Sequence, residues 1–127
     1  MTPPATLRRP LAIGGVPLAS PVVQAALSGY SDRAMRVLAR RHGAAYSLGE
    51  VLLDQFVATV GTNRRNLARL AVAAEEHPVG GQLMGSNPDD FPPAARRLVA
   101  EGYDVIDINF GCPVKKVLRS EEHTSEL

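Results

Sequence analysis

Tyr103-Asp104-Val105-Ile106-Asp107-Ile108-Asn109-Phe110-Gly111-Cys112-Pro113 is the stretch on which the reading turns. Residues 103–109 form a short apolar run of strand type, and the run leaves through a sharp turn. Gly111 permits backbone angles closed to other residues, while Pro113 fixes the exit direction and donates no N–H. Cys112 is the only cysteine of the chain. A strand ending this way holds a reactive side chain at a rigid exit, as at the mouth of a barrel or at the carboxyl edge of an α/β sheet.

Working outward, strand and helix signals alternate. The run over residues 78–84 is a buried strand carrying Gly80-Gly81, and glycines inside a strand mark a close approach to its backbone. Between these two strands, Asn87 suits a helix cap, Pro88 the first helical position, and Asp89 and Asp90 the positive end of the helix dipole. That helix is expected to run to about Glu101, with Gly102 as its stop. Upstream, residues 45–51 read as a strand and residues 52–60 as a helix. Residues 66–76 fit helix or strand equally. Residues 21–27 read as a buried strand, followed by a turn at Ser28-Gly29-Tyr30-Ser31. A helix from Ser31 or Asp32 to about His42 comes next, with Met35, Leu38 and Ala39 inward and Arg33, Arg36, Arg40 and Arg41 outward. Gly14-Gly15, between residues 11–13 and 16–18, signals a two-residue hairpin. Short, apolar, fully buried strands joined by helices predict a parallel sheet. Such a sheet is either open and doubly wound or closed as a barrel, and the pattern alone does not choose.

Composition agrees with one α/β domain. The chain has 127 residues, 45% of them hydrophobic, with no tryptophan. A formal charge of +1 predicts no strong pull toward nucleic acid or membrane. Residues 119–127 carry a net −2, which leaves +3 for residues 1–118, mildly basic and compatible with an anionic partner. One cysteine makes no internal disulfide and favours a reducing compartment. No run resembles a signal peptide or reaches the ~20 apolar residues of a membrane span. A soluble, cytoplasmic protein is expected.

Three segments together resemble the tRNA-dihydrouridine synthase family of flavin enzymes. They are Ala25-Ala26-Leu27-Ser28-Gly29-Tyr30-Ser31-Asp32, Val79-Gly80-Gly81-Gln82-Leu83-Met84-Gly85-Ser86, and Asp104 through Val117 with Asn109-Phe110-Gly111-Cys112-Pro113 at its centre. They stand in the family's order and spacing, across roughly residues 10–118. The resemblance implies the N-terminal half of a (β/α)8 TIM barrel, preceded by the short β-hairpin. Residues 1–9 are expected to be a loose lead-in, and residues 10–118 the partial barrel domain. The chain departs from the family at Ala26, Leu27 and Ser28, where Pro, Met and Ala are usual, and at Gly49-Glu50-Val51, where Thr-Glu-Met is usual. Arg119-Ser120-Glu121-Glu122-His123-Thr124-Ser125-Glu126-Leu127 looks like the translation of a sequencing adapter and is expected to be a non-native tail. Re-sequencing of the locus checks this: the natural frame should diverge after Leu118.

The implied activity is reduction of specific tRNA uridines to 5,6-dihydrouridine, with FMN as cofactor and NADPH as reductant. Hydride passes to C6 of the base and a proton to C5. Thiols titrate near pH ~8.5 and so carry a proton to give at neutral pH. The resemblance therefore makes Cys112 the general acid, although a lone Cys taken by itself is more often a small core residue. Ala26, Leu27 and Ser28 would lie against the flavin and Gln82 would contact it. Asn109 would orient the cysteine turn or meet flavin or base; its plainer reading is a side chain bonding its own turn. Lys115 and Lys116 would meet tRNA phosphates, although a solvated pair explains them as well. The three histidines have no metal-ligand spacing, and no metal is expected. The intact protein is expected to be a monomer. Two rivals remain: another FMN-dependent barrel oxidoreductase acting on a small pyrimidine, and a non-catalytic remnant.

Overall fold

The computed structural model describes residues 11–61 and 63–112. The lead-in, Pro113, Lys115, Lys116 and the proposed tail at residues 119–127 lie outside the described residues. The hairpin forms as expected: β1 (Leu11–Ile13) and β2 (Val16–Leu18) pair antiparallel, and Gly14 takes a φ of 56° in the turn. The second sheet is four-stranded and parallel, in the order β3 (Val23–Gln24), β4 (Tyr46–Leu53), β5 (Val79–Met84), β6 (Val105–Ile108). α1 (Arg33–Arg41) joins β3 to β4. α2 (Asp54–Thr59), α3 (Arg64–Leu70) and a 3₁₀ turn at Ala74–Glu76 join β4 to β5. A 3₁₀ turn at Pro88–Asp90 runs into α4 (Phe91–Ala100) and leads to β6.

Strand order resolves the choice that the sequence pattern left open. Neighbours in the sheet are neighbours in the chain, with no reversal. A doubly wound sheet reverses direction at a switch point, whereas right-handed crossovers in unbroken order lay every helix on one face. The arrangement is therefore that of a partial (β/α) barrel wall. The core occupies the helix-bearing side: Leu52, Val79 and Leu83 from the strands meet Val57, Leu70, Ala94 and Leu98 from the helices, with Tyr103.

Several expectations need correction. The strand placed at residues 21–27 shrinks to Val23–Gln24 and is not buried, because it is the sheet's edge and pairs only with β4 among the described residues. β6 is only partly buried, for the same reason on the opposite edge. Leu52 belongs to β4 rather than to the helix after it. The ambiguous stretch at residues 66–76 divides between α3 and the 3₁₀ turn. In α1, Leu38 points to solvent, while Arg36, expected outside, is 2% exposed. Elsewhere local chemistry did what it promised: Asp32 caps α1 through a bond from the Met35 amide, and Gly43 and Gly102 stop their helices at positive φ.

Arg36 is buried because a fully buried carboxylate awaits it. Its Nε lies 2.6 Å from Glu76 Oε2; its other nitrogens donate to the carbonyls of Ser31 and Ala71. Glu76 Oε1 accepts from the Ala73 amide at 2.7 Å. Every charge is thus matched and hydrogen-bonded, the condition for keeping an ion pair out of water. Removing one partner strands the other. Glu76→Gln or Arg36→Met is expected to cost about 3–5 kcal/mol, measured by urea denaturation. Arg36→Met combined with Glu76→Leu should lose less than either single change.

Candidate functional site

The sheet's second face bears no helix. Paired residues of a parallel sheet share a face and successive residues alternate. The register therefore groups Leu48, Gly80 and Val105, then Val51, Gln82 and Asp107, then Leu53 and Met84, on the face opposite the core. A β-bulge between Leu48 and Val51 re-phases β4 so that this grouping holds along its whole length. The bulge falls at Gly49-Glu50, and Gly49 is one of the residues at which this chain departs from the resembled family. Gly80 is required on this face: a Cβ there would lie 1.9 Å from the Tyr46 hydroxyl and 2.6 Å from Leu48. Burial, with Asp107 and Asp104 adding to it, pushes the Tyr46 hydroxyl up to about 12, so it stays neutral.

At the carboxyl ends of β5 and β6 this face turns polar. Gln82 Nε2 donates to Asp107 Oδ2 at 2.6 Å. Asn109 Nδ2 donates to Gln82 Oε1 at 3.1 Å. Asn109 Oδ1 accepts from the Gly111 amide at 2.9 Å, and the Asn109 amide extends the sheet by donating to Leu83 O. Cys112 follows, half-buried and free. The structure thus brings together Gln82, Asn109 and the start of the cysteine turn. Asn109 bonds its own turn, as the plainer reading held, and also reaches across to Gln82. Asp107 was missed as a site residue. The signal was present: Asp107 and Asn109 stand two apart between Ile106, Ile108 and Phe110, so both face one side.

The segment Ala25–Ser31 forms the exit from β3. Ser31 is fully buried; its hydroxyl donates toward the Ala25 and Leu27 carbonyls and accepts from the Leu27 amide, while Leu27 O accepts from the Tyr30 and Ser31 amides. Its shape is set by backbone bonds, so the unusual residues at 26–28 leave its course intact. Leu27 is 45% exposed, Ser28 exposed and Ala26 half-buried.

Asp54, where β4 gives way to α2, is a second residue that the sequence did not flag. It is 3% exposed. Its Oδ1 accepts from the Gln55 amide at 2.6 Å, and its buried Oδ2 has no partner. The carboxylate abuts Gly85, just beyond β5, where a Cβ would fall 1.8 Å from Oδ2. Burial pushes its pKa up, the Gln55 amide pulls it down, and nearby Asp90 adds to the rise. On the helix side, a cleft of about 540 Å³ is lined by Arg33, Arg36, Glu50, Leu52, Arg69 and Tyr103; it is separate from the Gln82–Asn109 cluster. Among the described residues no group of three or more His, Cys, Asp or Glu side chains is placed to hold a metal. No helix among them is long and apolar enough to cross a membrane.

Comparison with known proteins agrees with this geometry. The family model of dihydrouridine synthase (Dus) matches residues 23–122. The chain is 36% identical over 107 residues to tRNA-dihydrouridine synthase B of Xanthomonas campestris, covering 83% of this chain and 31% of that protein. It is 35% identical over 105 residues to tRNA-dihydrouridine synthase B of Pseudomonas aeruginosa, covering 83% of this chain and 31% of the relative. The chain therefore spans about a third of the length of these curated relatives.

Asp54 yields a pH-dependent expectation. Its folded pKa lies above the unbound value of 3.8, so the fold favours its neutral form. The destabilisation grows as pH rises through the folded pKa and is complete above it. Asp54→Asn keeps an oxygen for the Gln55 amide and removes the charge. It should raise the melting temperature at pH 7, and the gain should vanish near the unfolded carboxylate's titration, about pH 4.

Proposed function

This chain belongs to the dihydrouridine synthase family, and on that footing we propose that the intact protein reduces specific uridines in tRNA to 5,6-dihydrouridine with FMN and NADPH. The observation that carries the proposal is the continuous hydrogen-bonded line from Asp107 through Gln82 and Asn109 to the Gly111 amide, which ends at the cysteine turn. The names of the curated relatives supply the substrate class, tRNA uridine.

The residues present fit a flavin ring. Gln82 and Asn109 each keep a free N–H and a free lone pair after their mutual bond, the donor–acceptor mixture that the ring's polar edge needs. Leu27, exposed, and Met84, half-buried, offer apolar surface at the same strand ends. Gln82 and Asn109 would hold the ring's polar edge, and Ala26, Leu27 and Ser28 would line its flank. When bound and reduced by NADPH, FMN supplies the hydride for C6 of the uracil.

The chain's own part in the chemistry is a proton. Cys112 gives its Sγ proton to C5 as the C5=C6 double bond is lost, leaving a thiolate that takes a proton back from solvent. Asn109, by fixing the Gly111 amide, holds the turn that presents Sγ. Lys115 and Lys116, two and three residues after Pro113, would neutralise tRNA phosphates near the uridine. This is a cytoplasmic role, and the residues described contribute the acid and part of the flavin floor.

Cys112→Ala in the intact protein should lower dihydrouridine formation on tRNA about 10²–10⁴-fold, the usual worth of a positioned general acid. Flavin absorbance should be retained. Product is read by mass spectrometry of digested tRNA. An unchanged rate would reject Cys112 as donor, and turnover of free pyrimidines alone would reject the tRNA reading.

A further inference from the structure

We propose that Asp107 is a positioning residue: it fixes the polarity of the Gln82 amide and, through Asn109, the conformation of the turn that carries Cys112. The proposal rests on the reading of Cys112 as proton donor for its functional meaning, but not for its geometry.

The argument is one of donor and acceptor parity. A carboxylate has no hydrogen to give, so Gln82 can face Asp107 only with its NH₂ group. The 2.6 Å separation is that of a charge-assisted bond, stronger than a neutral one. With the NH₂ committed, the carbonyl of Gln82 must face Asn109. Asn109 must then turn its own NH₂ toward Gln82, at 3.1 Å, which leaves its carbonyl toward the Gly111 amide, at 2.9 Å. Each step is the only complementary choice once the first is made. Were Gln82 reversed, its NH₂ would face Asn109, Asn109 would answer with its carbonyl, and two donors would confront each other at Gly111. One charge on β6 thus decides, across β5 and back, whether the Gly111 amide is satisfied.

The surroundings keep this choice intact. Asp107, Gln82 and Asn109 share a face by register, so no backbone movement is needed for the bonds. Gln82, Asp107 and Asn109 are each partly buried, so competing water is limited. Asp107 faces no guanidinium or ammonium group in any bond described; its acceptor strength is spent on Gln82.

Asp107→Asn tests the idea, because it preserves shape and removes the directional rule: an Asn side chain faces Gln82 with either end. The readouts are the Gly111 backbone amide in ¹H–¹⁵N NMR, its hydrogen-exchange rate, and the rate of Cys112 alkylation by iodoacetamide. Asp107→Asn should move or split the Gly111 signal, speed its exchange at least several-fold, and change the alkylation rate, with melting temperature nearly unchanged. A merely structural Asp107 would leave Gly111 and Cys112 unaltered in a folded isostere, and that result overturns the proposal. Should Asp107→Asn fail to fold, the unsubstituted protein still decides. The Gln82 side-chain N–H that faces Asp107 should resonate downfield of the ordinary range of glutamine side-chain amides and exchange slowly, and a pair of protons at ordinary glutamine positions with fast exchange would reject the carboxylate bond. None of these measurements needs flavin or turnover. Loss of the proton-donor assignment through an active Cys112→Ala would therefore leave them untouched.

Discussion

The buried pair of Arg36 and Glu76 joins what the chain otherwise keeps apart. Arg36 sits on α1, Glu76 in the turn before β5, forty residues away. From that pair the guanidinium reaches the Ser31 carbonyl and the Ala71 carbonyl. Ser31, fully buried, shapes the exit of β3 with its hydroxyl. The edge strand β3 is only two residues long and pairs with β4 over two positions, too little to hold itself. Its exit is held instead by a side-chain network anchored in the helix layer. The Ala25–Ser31 segment, which is proposed to line the flavin, is therefore set from behind, by charges on the far side of the sheet.

The two faces of the sheet divide the labour. The helix side is a packed hydrocarbon core with one neutralised charge pair at its margin. The opposite side carries its polar groups at the carboxyl ends of two adjacent strands, where ligands meet α/β folds. Glycine placement follows the same division. Gly81 faces Leu98 and Tyr103 in the core, while Gly80 makes room for Tyr46 on the other side. Asp54 is the exception to good satisfaction: a buried oxygen without a partner, pressed against Gly85. Unsatisfied groups of this sort cluster where structure is bent toward function rather than stability.

Much of this was legible in the sequence because its signals are local. The hairpin at Gly14-Gly15, the cap at Asp32, the stops at Gly43 and Gly102, and the strand at Val79–Met84 need only neighbours within a few residues. The missed features are non-local. Arg36 reads as an outer-face charge until Glu76 is brought to it, and residues 66–76 cannot be divided without knowing where β5 must start. The shortness of β3 depends on its lying at an edge, which no window of residues 21–27 reveals. Gln82, Asn109 and Cys112 were recognisable through motif resemblance, whereas Asp107, inside the same motif, acquired meaning only when the register set it opposite Gln82. The pattern of short strands and helices left barrel and open sheet equal; unbroken strand order decided between them.

The bulge at Gly49-Glu50 has a consequence for how this strand tolerates change. It is an odd residue inserted into an alternating code. Upstream of it, one parity of residue numbers faces the helices; downstream, the other parity does. Substitutions at the bulge alter a side chain, whereas deleting one of its two residues would leave Leu48 and Val51 two apart, the spacing of their partners Gly80 and Gln82 on β5. Plain alternation would then carry the same grouping: Leu52 would stay in the core, and Val51 and Leu53 would stay opposite it. One residue of length is what this point of the chain can spare without exchanging the two surfaces of the strand.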